Sequence, residues 1–111
     1  MTTLNKVIIC GRLTRDTETK DISGTQLCKF GLAFDSGFGE KKAVVFIDVD
    51  SWGKTAEFIA GNFSKGKEIL IEGRLEFQQW EKDGEKRSKH TITAERVSFV
   101  GAKDQQGSDD F

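Results

Sequence analysis

Residues 45–52 read Val-Phe-Ile-Asp-Val-Asp-Ser-Trp. An extended strand sends successive side chains to opposite faces. Val45, Ile47 and Val49 then form an apolar face, and Phe46, Asp48, Asp50 and Trp52 form the other. Large rings on a face that ought to be wet suit stacking on the bases of a single-stranded nucleic acid. They also suit burial under a second layer, such as a helix or a partner subunit. The carboxylates raise a different chemistry. Asp48, Asp50 and Glu72 are residue types found in two-metal nuclease sites. No His or Lys stands at a suitable spacing, and alternate carboxylates on a strand are commonly just solvated.

Composition limits the field. A chain of 111 residues suggests one domain with a real core of its own. No run of 18 apolar residues is present, and the first six residues carry no apolar signal-peptide core. Cys10 and Cys28 lie in apolar runs without metal-ligand spacing, and His90 is the one histidine. The cysteines read as small buried hydrophobes in a reducing compartment, and nothing calls for a cofactor or metal. Net charge is -1, but its distribution is uneven. Residues 1–103 carry +2, and residues 104–111 carry -3. The expected organisation is a mildly basic domain over 1–103 followed by an acidic tail over 104–111. Charge alone would not point to DNA.

The elements that must position the rings are mostly strands. Residues 7–10 form a short buried run, and Lys6 and Arg12 share one strand phase. Residues 14–25 are polar, contain Ser23-Gly24 and read as a loop. Cys28, Phe30, Leu32 and Phe34 alternate as a second strand. Residues 36–42 are a glycine-rich hinge with Phe38 at its tip, and a third strand covers 44–52. Thr55, Phe58, Ile59 and Phe63 share one face of a short helix over 54–63. A fourth strand from 68 to about 80 puts Ile69, Ile71 and Gly73 on one side. Glu72, Arg74, Glu76, Gln78 and Trp80 fall on the other, while Phe77 falls in the core phase. Asp83-Gly84 is a hairpin turn, and the fifth strand shifts phase between Ala94 and Val97, which predicts a bulge. Three strands, a helix and two strands is the order of a five-stranded OB-fold Greek-key barrel. A cold-shock-like or SH3-like barrel has a similar strand count.

The motifs now carry a resemblance. Residues 5–18, Asn-Lys-Val-Ile-Ile-Cys-Gly-Arg-Leu-Thr-Arg-Asp-Thr-Glu, are similar to the start of bacterial-type single-stranded DNA-binding proteins. So are Phe-Gly-Leu-Ala-Phe at 30–34, Trp-Gly-Lys-Thr-Ala-Glu at 52–57 and Lys-Gly-Lys-Glu-Ile-Leu-Ile-Glu-Gly-Arg-Leu at 65–75. The resemblance covers about residues 4–100 and the acidic end. It implies an OB-fold that binds single-stranded DNA in replication, recombination and repair, with no enzymatic activity. By position, Phe38, Phe46, Trp52 and Trp80 would be its stacking residues. Lys6, Arg12, Lys54, Arg74, Lys86, Arg87 and Lys89 would follow the DNA backbone, each also readable as a solvated charge. The resemblance further implies a homo-oligomer, a tetramer or a dimer, and a cytoplasmic, nucleoid-associated location.

Several residues depart from that pattern. Asp48, Asp50 and Glu76 lie in the binding phase, where they either repel phosphate or pair with Arg74 and lysines. Thr17 stands where the family usually has proline. The tail closes on Asp109, Asp110 and Phe111 without the family's Ile-Pro pair, the least that could dock a basic pocket of a replication or repair protein. So short a tail suggests a phage- or plasmid-encoded member, and the alternative to docking is a frayed terminus. The acids on the binding face keep a rival open: a primosome-type OB module that bridges proteins and binds nucleic acid weakly.

Overall fold

Alternating apolar residues build strands here, and glycines set where the strands turn. The computed structural model describes residues 1–101 and the short strand Ser108–Asp109. The strands are β1 (Val7–Leu13), β2 (Glu18–Ile22), β3 (Thr25–Ser36), β4 (Ala43–Trp52), β5 (Glu68–Lys82), β6 (Glu85–Ser98) and β7 (Ser108–Asp109). One helix, α1 (Gly53–Asn62), joins β4 to β5, and a single 3-10 turn (Gly39–Lys41) interrupts the β3–β4 loop. The acidic tail's Asp110 and Phe111 lie outside the described residues, as do the side chains of Ser108 and Asp109. β7 pairs antiparallel with β6 at Val97 and Ser98.

The pairings run in a circuit. β1 pairs with β5 and with β3, β3 with β4, β4 with β6, and β6 with β5. All are antiparallel except β4–β6, which is parallel. This is the OB-fold order expected from the sequence, with α1 between the ring-bearing strand and the long hairpin. Phe30, Leu32, Val49, Ile59, Ile69, Ile71, Ile92 and Val97 meet in one buried core. Ala56 and Ile59 bring α1 onto it. Below them Phe58, Phe63 and Phe99 form an aromatic cluster, with ring centroids 5.1 to 6.1 Å apart.

The predicted bulge lies between Ala94 and Arg96. Glu72 pairs with Arg96 and Gly73 with Ala94, which leaves Glu95 as the extra residue. The predicted hairpin turn is also present: Asp83 and Gly84 both take positive φ, 53° and 79°, as a tight two-residue turn between twisted strands requires.

Four expectations need correction. The polar stretch 14–25 is not simply a loop: Glu18–Ile22 forms β2 and pairs with Thr25–Gln26–Leu27–Cys28–Lys29 of β3. Every β2 side chain is exposed, so no apolar phase announced the strand. The run 7–10 is not buried throughout, because β1 alternates. Val7 and Ile9 pack on the core, while Ile8 and Cys10 are exposed. Cys28 is the buried cysteine, and burial pushes its thiol pKa up. Phe77 keeps the core phase but has no core behind it. The β5–β6 hairpin runs beyond the circuit there, leaving Phe77 55% exposed against His90.

Gly73 is required where β5 meets the bulge. A Cβ at that position would collide with the Thr93 carbonyl oxygen. Gly73→Ala should lower stability by about 1–3 kcal/mol, the cost of overpacking a tight site. Urea denaturation followed by circular dichroism measures this, and a loss too small to detect would contradict the packing described.

Candidate nucleic-acid interface

The β4 rings are open to solvent. Phe46 is 70% exposed, and Trp52, just before α1, is 44% exposed. Within the described chain no second layer covers them, so the burial alternative is not realised there. Small residues account for the opening: Phe46 pairs in register with Ala33, and Asp48 with Gly31. Trp52 stands opposite the buried Leu27. Phe38 is 88% exposed at the start of the 3-10 turn, in the loop that leads into β4.

Trp80, 43% exposed, comes from the outer half of β5. It belongs to the row Arg74, Glu76, Gln78, Trp80, paired in order with Thr93, Thr91, Lys89 and Arg87 of β6. Asp48 and Asp50 of β4 pair with Thr91 and Thr93 of the same strand. One continuous outer surface thus runs from β3 across β4 and β6 to β5, with Phe46, Trp52 and Trp80 on it.

The acids of this surface are paired with cations, one of the two outcomes the sequence left open. Arg15 Nη2 donates to Asp48 Oδ1 at 3.5 Å, and Lys89 Nζ to Asp48 Oδ2 at 2.9 Å. Lys29 lies 3.8 Å from Asp50. Arg74 bridges Glu76 at 2.6 Å and Glu95 at 2.9 Å. The Asp48 carboxyl is held below its ordinary pKa, chiefly by the Lys89 hydrogen bond, and the Arg74 guanidinium is pushed up by Glu76 and Glu95.

The other cations are spread more widely. Lys6 forms an ion pair with Glu72, which holds that carboxyl low, and Arg12 lies 3.6 Å from Glu68 and donates to the Gly66 carbonyl. Both sit on the β1–β5 side rather than among the β4 rings. Lys54 is exposed in the first turn of α1, two residues after Trp52, with no ion pair among the described residues. Lys86 is exposed near the hairpin tip, and Arg87 lies 3.6 Å from Glu85. Arg15 and Lys29 are site residues that sequence reasoning missed. The signal for Lys29 was its alternation with Cys28 and Phe30; Arg15 gave none, because it reaches the surface from a loop.

The nuclease constellation is not assembled. Asp48 and Asp50 face cations on β4, while Glu72 lies beyond the bulge against Lys6. Among the described residues no group of three or more His, Cys, Asp or Glu side chains is arranged to hold a metal. No helix there is long and apolar enough to cross a membrane.

Known proteins resemble this chain in sequence and in fold. Residues 4–100 match the profile described as Single-strand binding protein family. The chain is 42% identical over 106 residues to the single-stranded DNA-binding protein of Wolinella succinogenes, covering 89% of this chain and 65% of that one. It is 44% identical over 106 residues to that of Helicobacter hepaticus, covering 89% and 62%. For the protein of Aquifex aeolicus the figures are 43% over 103 residues, 87% and 70%. The chain spans 59–65% of the length of the first three curated relatives it matches. A solved structure described as Plasmodium falciparum SSB complex with ssDNA superposes with a TM-score of 0.83 at 17% identity, over 91% of this chain and 98% of that chain. At that identity the likeness concerns the fold.

The pairing at Asp48 has a pH consequence. Its folded pKa is depressed, so its contribution to stability is present above the unfolded value and fades as pH falls through the folded one. Stability should therefore drop below about pH 4, where an unfolded aspartate begins to protonate. Asp48→Asn should flatten that part of the profile. Chemical denaturation between about pH 5 and pH 2 reads the slope, and identical slopes in the two proteins would mean that the pair carries no linkage.

Proposed function

The chain belongs to the single-strand binding protein family, and from that premise we propose that it binds single-stranded DNA without sequence preference and catalyses no reaction. One observation carries the reading: Phe46, Trp52 and Trp80 are exposed on one outer surface interleaved with cations, and Phe38 lies exposed in the loop entering β4. Bases stack on these rings, and each stacked base contributes about 1–3 kcal/mol. Lys54, Lys86, Arg87, Lys89 and Arg74 follow the backbone, with Lys6 and Arg12 at the β1 edge. Because stacking accepts any base, the role is that of a general coat for exposed strands in replication, recombination and repair.

The primosome-type rival loses its main support. It rested on acids repelling phosphate, and Asp48, Asp50 and Glu76 are each matched by a cation. Self-association as a dimer or tetramer belongs to the proposal. It is supported by exposed apolar side chains away from the rings, including Leu4, Ile8 and Phe77. The tail residues Asp109, Asp110 and Phe111 are proposed, on composition alone, to dock a basic pocket of a replication or repair protein. A nucleoid-associated, cytoplasmic location goes with this role.

Oligo-dT should quench the fluorescence of Trp52 and Trp80. Trp52→Ala and Trp80→Ala should each weaken binding by about 1–3 kcal/mol. Affinity should fall with salt at a slope of about 0.7 per phosphate neutralised, and Lys54→Ala should make the slope shallower by about that amount. Duplex DNA of equal length should bind far more weakly. Equal affinity for duplex and single strand, or folded tryptophan variants that bind as well as the parent, would sink the reading.

A further inference from the structure

We propose that Arg15 and Lys89 form a phosphate subsite beside Phe46, and that the Asp48 carboxylate fills this subsite until a DNA phosphate displaces it. The inference rests on the single-strand reading and names a device within it.

The geometry is that of two cations sharing one anion with two oxygens. Arg15 holds Oδ1 of Asp48 and Lys89 holds Oδ2. A phosphodiester offers the same two anionic oxygens to the same pair of donors. The pair is built rather than incidental. The Thr14 amide donates to the Gly31 carbonyl at 2.9 Å, which fixes the loop against β3. Gly31 has no Cβ, and one placed there would collide with Thr14 Oγ1 and Arg15 Nη1. Glycine thus lets the arginine side chain lie across β3 and reach Asp48, its register partner on β4. A cavity of about 390 Å³ lies at this point, lined by Thr14, Arg15, Gly31, Phe46, Asp48 and Lys89 among others. Phe46 and Asp48 are two residues apart on one face of a strand, about 7 Å. A base on Phe46 therefore brings a neighbouring phosphate within reach of both cations.

Charge singles this cluster out among the paired acids of the β4–β6–β5 surface. Arg15 and Lys89 against Asp48 leave a surplus of one positive charge. Lys29 and Asp50 cancel. Arg74 is outnumbered by Glu76 and Glu95. Of these three clusters, the Asp48 cluster alone offers an incoming phosphate a surplus positive charge. All three side chains keep 40–46% of their surface exposed, so an incoming strand can reach them. The displaced carboxylate also has somewhere to go. Thr91 pairs with Asp48 in register, and its buried Oγ1 has no hydrogen-bond partner among the described residues. That hydroxyl can donate to Asp48 once Arg15 and Lys89 turn to the phosphate.

The test is a mutant cycle on the full chain, with oligo-dT as ligand and tryptophan fluorescence as readout. Asp48→Asn removes the competing anion and should tighten binding about fivefold at low salt. It should also steepen the salt dependence by about 0.7, since the cations then carry solution counterions that DNA releases. In an Arg15→Gln, Lys89→Gln background the same substitution should give little gain. Equal tightening in both backgrounds would reduce the effect to bulk charge and overturn the subsite. So would an Asp48→Asn protein that binds no better than the parent while the parent binds normally. Asp48→Ser provides the same cycle if Asp48→Asn does not fold. A parent that fails to bind oligo-dT at all would overturn the single-strand reading itself, which the parent titration reports separately.

Discussion

The ring-bearing surface depends on the parallel pairing of β4 with β6. That short ladder, Asp48 to Thr91 through Ser51 to Ala94, joins the β1–β3–β4 side of the circuit to the long β5–β6 hairpin. Without it, Trp80 and Lys89 would be tied to Phe46 and Trp52 only the long way round the circuit, through β5, β1 and β3. Register matters as much as pairing, because a slip of one residue would turn Phe46 and Asp48 inward and Ile47 outward. The helix satisfies the topology: two parallel neighbours need a crossover, and α1 with β5 supplies it. The Glu95 bulge then lets β6 change partner phase without moving Ala94 or Val97 out of the core.

The proposed DNA-binding surface is compatible with a net charge of -1, because its acids are paired with cations and not arranged as a repelling field. Asp48, Asp50 and Glu76 each hold a basic side chain in place at the surface. Pairs this exposed add little to stability. Their effect is to fix cations near the rings.

Much of this was legible in the residues. The alternation in 45–52 separates Val49 in the core from Phe46 and Trp52 outside, and the phase shift before Val97 locates the bulge. Asp83-Gly84 gives the hairpin. Phase reasoning failed where it assumed a layer that is absent. Phe77 alternates like a core residue, but the hairpin has left the core by then. Ile8 and Cys10 sit in an apolar run whose outer face is simply exposed. β2 could not be seen, because a strand with every side chain in solvent has no apolar period. Arg15 could not be assigned either: its place depends on the missing Cβ of Gly31, a contact between a loop and a strand that no linear pattern encodes.

Zero-length photocrosslinking tests the central claim most directly. Irradiating the protein with oligo-dT joins thymines to the side chains they stack on, and peptide mapping identifies those side chains. Crosslinks are expected at Phe46, Trp52 and Trp80, with Phe38 next. Crosslinks concentrated on Phe77, or on the β1 face around Ile8 and Cys10, would contradict it and place the DNA on another surface.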